Sequence, residues 1–445
     1  MEQGSQARNG GGDSRGEGVG GVSEAARFES APPTPPTLLQ RPERIGSTIS
    51  PTKEPAMALS RVLLPVLALG GAVLLVTQTI DIRADAQAAA SNGRRASAPN
   101  AVTGEGLPNP APNVTRNWGQ LPAGRKWGTT AGIDIDPADG NVWAYERCGA
   151  GTAGGGPVDC DNTPLDPIFK FDRKTGAVLA NFGKGVMVTP HGIAVDKQGN
   201  VWIADFSGNK AGTKGHQVHK FSPKGEKLLS LGIAGKPGNA DGQFNQPNDV
   251  VVGPDGSIYV ADGHDAQGMT TPAAVSEGLK RGATSRISKF SSDGKFIKSW
   301  GGIGVRHGEF RTPHALVFDS RGRLWVADRG NHRIEIFDQN GTYLESRYTF
   351  GRPSGLFIKG DTVYVIDSES GPYNHPNWRD GVRIGPVGED RVTGFIPPFD
   401  RDDRVYQGTA GEGVAVDADG NVYAAEGPNS ITQAGGAFTK YSVKP

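Results

Sequence analysis

One pattern recurs from Trp127 to the end of the chain and constrains the fold more than anything else in it. The pattern is a Pro-x-Gly-like opening, an alternating apolar strand, an Asp-x-x-Gly-Asn-like turn, a second strand and an acidic residue. Its clearest copy is Thr189-Pro190-His191-Gly192, then Ile193 to Val195, the turn Asp196 to Asn200, and Val201-Trp202-Ile203-Ala204-Asp205. The turn returns at 136–141, 253–257, 319–323 and 417–421, with a shorter version at 359–361. Glycine supplies the positive φ that such hairpin turns require. The turns lack the further ligands and terminal Glu of an EF-hand, so they read as hairpins and not as calcium loops.

Third and fourth strands are predicted in most units: 168–171 with 177–182, 218–221 with 227–231, 287–290 with 295–300, and 334–337 with 342–345. Four short antiparallel strands per repeat are the content of a propeller blade. The opening positions Ala131, His191, Asn248, His314, Ser354 and Glu412 count six blades. The predicted fold is therefore all-β, a six-bladed β-propeller of four-stranded antiparallel blades. The last blade shows only three clear strands, ending at 437–443, and residues 113–118 are expected to supply its fourth. That closure would leave no open edge between the first and last blades. The abundance of glycine, 66 residues, agrees with many strands joined by tight turns.

The segment before the propeller divides in three. Residues 1–56 are rich in Gly, Ser, Pro and charge, with too little apolar surface to fold, and are read as disordered or not translated. Residues 57–90 hold an apolar run from Val62 to Val76, with small residues at Ala84-Asp85-Ala86 and Ala86-Gln87-Ala88. This is the pattern of a signal peptide, with a retained membrane anchor as the alternative. Residues 91–116 are read as a linker and 117–445 as the propeller. The chain is expected to be secreted or periplasmic, touching a membrane only if the N-terminal segment stays attached. In that compartment Cys148 and Cys160, the only cysteines, should be bridged. Formal net charge is zero and the basic residues are scattered, which excludes a nucleic-acid partner.

Aligned by blade, the metal-capable opening residues fall in blades two, four and six: His191, His314 and Glu412. Alternate blades of a six-fold ring lie about 120° apart, so the three side chains should converge on the central axis. Two imidazoles and a carboxylate form a three-ligand set with a position left for water or substrate. Zinc suits that set, with iron or manganese as alternatives. Each strand-one opening lies beside the end of strand two, so the residues after the acidic column ring the same mouth. Among these are Arg147, His264 and Arg329. The two arginines suit a carboxylate-bearing small molecule or peptide substrate. Their other expected use is structural, pairing Arg147 with Glu146 and Arg329 with Asp328. His264 can serve as a general base.

Gly242-Gln243-Phe244, Gly308-Glu309-Phe310 and Val326-Ala327-Asp328-Arg329-Gly330-Asn331-His332-Arg333-Ile334 resemble NHL repeats. Among NHL propellers the chain, from about 127 to 445, most resembles the peptidyl-α-hydroxyglycine α-amidating lyase family. The likeness is strongest at Pro190-His191-Gly192, at Gln246-Pro247-Asn248-Asp249-Val250 and at Pro313-His314-Ala315. It implies a catalytic zinc held by three histidines at blade openings, with arginines around the substrate and a catalytic tyrosine after an Asp-Gly. This chain departs twice: Glu412 stands where the third histidine is expected, and His264 follows Asp262-Gly263 in place of the tyrosine. The implied function is a metal-dependent lyase that cleaves an α-hydroxyglycine C–N bond to an amide and glyoxylate. A metal-dependent propeller hydrolase, acting on a lactone or phosphotriester, and a non-catalytic NHL binding platform remain open.

Overall fold

The computed structural model describes residues 98–125, 127, 129–149, 159–372, 374–399, 411–426 and 438–443. The segments read as disordered and as signal peptide or anchor lie outside them. The described residues form six four-stranded sheets. From the inside outward, blade one is Ile133–Ile135, Val142–Tyr145, Ile168–Phe171 and Val178–Phe182. Blade two is Pro190–Val195, Val201–Asp205, Gln217–Phe221 and Lys227–Leu231. Blade three is Pro247–Val252, Ile258–Asp262, Arg286–Phe290 and Phe296–Gly301. Blade four is Pro313–Phe318, Leu324–Asp328, Arg333–Phe337 and Tyr343–Arg347. Blade five is Pro353–Lys359, Thr362–Asp367, Gly381–Pro386 and Gly394–Ile396. Blade six is Gly413–Val416, Val422–Ala425 and Phe438–Ser442, with Asn113–Arg116 as its outermost strand. Every pair within a blade is antiparallel, and the inner strands touch in sequence around a ring that closes between blades six and one.

The closing strand pairs Asn113 with Ser442 and Arg116 with Thr439, as the missing fourth strand of the last blade required. The propeller reaches further upstream than a boundary at 117 allows. Ala101 and Leu107 pack on blades four and five, Ala111 is fully buried in the core between blades five and six, and Arg383 donates to the carbonyls of Ala101 and Val102. Residues 98–112, read from the sequence as linker, are thus part of the fold's outer layer.

Each core lies between consecutive blades, six clusters in all. The repeat explains why. In strand two an aromatic stands at one register position, as Trp143, Trp202, Tyr259, Trp325, Tyr364 and Tyr423. The Trp143, Trp202 and Trp325 indoles are buried and donate to the turn aspartates Asp136, Asp196 and Asp319 at 3.0, 3.0 and 3.1 Å. Those carboxylates also accept backbone N–H groups of their own turns, so they are hairpin anchors. The acidic residue ending strand two does a second job. Asp205, Asp262, Asp328 and Asp367 are fully buried and accept N–H groups from Thr189, Asn245, Arg311 and Arg352, just ahead of each inner strand. The recurring pattern is therefore one blade's wiring: the turn holds the aromatic, and the acid holds the loop that delivers the blade opening.

Candidate metal centre and its mouth

The opening residues reach the axis through a break in strand pairing. In blades two and four Pro190 pairs with Asp205 and Pro313 with Asp328, but the ladder resumes only at Ile193 and Leu316. A bulge re-aims the side chains it releases, here His191 and His314. All six opening residues, Ala131, His191, Asn248, His314, Ser354 and Glu412, line one axial cavity of about 110 Å³. Close packing demands glycine after His191, because a Cβ on Gly192 would lie 2.6 Å from the Asn248 carbonyl oxygen.

Three imidazoles meet there. His191, His264 and His314 each offer a ring nitrogen, and these lie within 4.8 Å of one another. The His191 and His314 rings are 4.9 Å apart, and each is 5.6 Å from the His264 ring. Phe206 covers two of them, its ring 5.4 Å from His191 and 4.9 Å from His264. His191 Nδ1 bonds the Asn248 carbonyl at 2.8 Å, and His314 Nδ1 bonds the Ser354 carbonyl at 2.7 Å. A carbonyl can only accept, so both Nδ1 atoms carry the proton and both Nε2 lone pairs are left for the axis. His314 Nε2 is buried without a hydrogen-bond partner. An orphaned lone pair beside two further imidazoles fits a divalent metal, and the carbonyl behind each ring is the usual outer support of a metal-binding histidine. Burial pushes all three histidines well below the ordinary imidazole range, and the nearby Arg147 and Arg329 charges push the same way on His191 and His264. They are held neutral, the form that binds metal.

Glu412 sits at the same mouth but outside that cluster. Its carboxylate lies 3.3 Å from Arg329 Nη1. Arg329, fully buried, also faces Glu369 at 3.5 Å and donates from Nη2 to His264 Nε2 at 2.9 Å. Of the three residues drawn from blade alternation, His191 and His314 lie in the imidazole cluster with His264, and Glu412 lies beside Arg329 at the same mouth. The side chain that reaches the two axial histidines comes from the end of blade three's second strand, and an arginine holds the carboxylate aside. Neither arginine makes the structural pair expected of it. Arg125 takes Glu146, and Arg333 takes Asp328 at 2.8 Å. Arg147 is buried, its Nε donates to the Pro190 carbonyl at 2.9 Å, and among the described residues it faces no carboxylate.

The remaining histidines lie outside the axial cluster. His216 and His219 are buried, with His219 Nδ1 on Ser230 Oγ at 2.9 Å. His307 bonds Glu335, and the His332 ring packs tilted against His375, centroids 4.0 Å apart. Tyr373 lies outside the described residues. Sequence reasoning missed Arg352 and Glu369. Arg352 bonds the Arg329 carbonyl at 3.2 Å, Gln267 at 2.8 Å and Glu369 at 2.9 Å, tying three mouth loops together. Their signal was positional: Glu369 lies two residues past the acidic column and Arg352 two before a blade opening. Cys148 and Cys160 form a disulfide, Cα atoms 5.2 Å apart, beside Arg147.

The NHL repeat family matches residues 188–221, 244–267 and 310–337, which span blades two, three and four. Mouse peptidyl-glycine alpha-amidating monooxygenase is 34% identical over 46% of this chain and 20% of its own length. Fruit-fly peptidyl-alpha-hydroxyglycine alpha-amidating lyase 1 is 30% identical over 58% of this chain and 46% of its own. Human NHL repeat-containing protein 3 is 32% identical over 54% of this chain and 61% of its own. The alignments thus span less than two thirds of each relative. Strand order and matched repeats define an NHL-repeat six-bladed β-propeller. Within that class the chain resembles the peptidyl-α-hydroxyglycine α-amidating lyases.

Proposed function

We propose that this protein is a metal-dependent carbon–nitrogen lyase that cleaves a C-terminal α-hydroxyglycine to an amide and glyoxylate. The observation that carries the reading is the cluster of three neutral imidazoles on the propeller axis, beside a buried arginine with no carboxylate partner among the described residues. His191 and His314 would hold a divalent metal through Nε2, and His264 would complete the set by turning its Nε2 lone pair from Arg329 to the ion, zinc best suiting three nitrogen ligands. When bound, the metal would supply Lewis acidity at the substrate hydroxyl.

The chain's own groups account for the rest. Arg147 presents its outer guanidinium nitrogens to the substrate carboxylate, a charge-assisted pair in a dry site. Glu412, 3.3 Å from Arg329, receives the hydroxyl proton. The C–O bond becomes a carbonyl, the C–N bond breaks with its electrons to nitrogen, and Glu412 returns the proton to that nitrogen. No water or electron acceptor is consumed. Phe206 and the blade openings keep water from the imidazoles. The disulfide suits an oxidising compartment, and we place the propeller outside the cytoplasm. The test is direct: metal-loaded protein is incubated with α-hydroxyhippurate and glyoxylate is measured. Glyoxylate together with benzamide supports the reading. Bound metal with no glyoxylate, but hydrolysis of a lactone or phosphotriester, replaces it with the hydrolase reading.

A further inference from the structure

Blade three carries an excursion between its second and third strands that the proposed chemistry does not use. It opens with a 3₁₀ turn, His264–Gly268, and continues as helix α1, Pro272–Lys280. Thr271 caps the helix by accepting from Ala274 N at 3.2 Å, and Pro272 occupies its first turn, so the helix begins where the sequence allows it to. Facing α1 is the connection from blade three to blade four. Between them runs a groove of about 1010 Å³ whose walls include Met269, Pro272, Val275, Leu279, Ile303 and Val305. Leu279 is 51% exposed and Val305 63% exposed, large apolar side chains with open space before them. A soluble chain exposes a walled apolar groove at little benefit unless something binds there.

Topology puts this groove on the mouth face. Strand one of each blade runs away from the mouth and strand two returns to it. A strand-two-to-three excursion and a blade-to-blade connection therefore both lie on the mouth side. The groove is also continuous with the site. Met269 is five residues after His264, and Arg311 on the other wall is three residues before His314. Thr312 Oγ1 donates to the His264 carbonyl at 2.8 Å, joining the two walls at their inner end. A substrate whose α-hydroxyglycine sits at the axis must send the rest of its chain outward across this face.

We propose that the groove between α1 and residues 303–311 receives apolar side chains of a peptide substrate, upstream of the hydroxyglycine. The inference rests on the lyase reading, and it makes α1 a specificity element for extended apolar peptides over short acyl substrates. The experiment compares Leu279→Asp and Val305→Asp, one on each wall, with the parent in the full chain. Two substrates are used: α-hydroxyhippurate, too short to reach the groove, and N-acetyl-Phe-Leu-Phe-α-hydroxyglycine. The expected result is a KM about tenfold higher or more for the long substrate, the scale of one lost buried apolar side chain, with α-hydroxyhippurate unchanged. Equal kinetics on both substrates, or equal losses on both, overturns the proposal. If the parent releases glyoxylate from neither substrate, the lyase reading fails by itself. Fluorescence anisotropy of fluorescein-labelled Phe-Leu-Phe-amide then still reads the groove, and binding lost in both variants supports it. A dimeric parent that turns monomeric in Leu279→Asp, with anisotropy unchanged, shows that the groove binds a second copy and overturns the peptide assignment.

Discussion

On the proposed lyase reading, replacing Arg147 by alanine should cost the protein its grip on the substrate carboxylate while leaving fold and metal content unchanged. Arg147 is 5% exposed, so its interaction with an incoming carboxylate is poorly screened by solvent. One donor, Nε, is spent on the Pro190 carbonyl, which orients the fork. Truncating one partner of a buried, hydrogen-bonded charge pair costs about 2–5 kcal/mol. A middle value of about 3 kcal/mol predicts a fall in kcat/KM of roughly 150-fold. The assay is glyoxylate release by parent and Arg147→Ala protein, from α-hydroxyhippurate and from its carboxamide analogue, with metal content and melting temperature as controls. The parent should prefer the carboxylate by about the same factor, and the variant should show no preference. Arg329→Ala should behave differently. It strips Glu412 and Glu369 of their shared cation, so the melting temperature should fall with the activity. A variant Arg147→Ala that keeps its preference for the carboxylate, or loses it only because the metal is gone, refutes the reasoning.

Other outcomes follow from the same geometry. Cys148→Ser should destabilise the propeller by roughly 3 kcal/mol, the chain-entropy value for the loop closed across a separation of 12. Its urea midpoint should match that of reduced parent protein. Metal should stay bound at about pH 6, where ordinary imidazoles begin to protonate, because burial holds His191, His264 and His314 below that range. Dialysis at that pH followed by elemental analysis checks this. The metal-free protein should lose stability as pH falls below about 6.5, since the unfolded chain then binds protons that the folded chain refuses. Thermal melts across pH, parent against His314→Asn, give the sign. Deleting residues 98–116 removes the closing strand and its packing, and should lower the cooperativity of unfolding, read by melts with two probes.

Much of the fold was legible because the repeat states one blade's wiring six times. The turn aspartate, the strand-two aromatic and the terminal acid each have a partner in the same unit, so pattern alone places them. The observed strands fall within a residue or two of those read from the sequence, as with Ile168–Phe171, which coincide. Blade alternation likewise brought His191 and His314 to one point. Which side chain lies nearest those two was not legible. Sequence alignment sets Glu412 and His264 at the same mouth, but reach depends on local backbone. Gly263, at φ 114, turns the chain into the 3₁₀ segment that carries His264 inward, while Arg329 holds Glu412 aside. Residues 98–112 were unreadable for another reason: they dock through backbone carbonyls on Arg383, which leaves no periodic pattern.

The measurement closest to the central claim is the metal content of purified protein with three variants beside it. The account predicts one divalent ion per chain, lost in His314→Ala and in His264→Ala and retained in Glu412→Gln, with all three still folded. Metal lost in Glu412→Gln but kept in His264→Ala would put the carboxylate back among the ligands. A parent protein that takes up no divalent metal from solution at all would contradict the catalytic account and leave a binding platform.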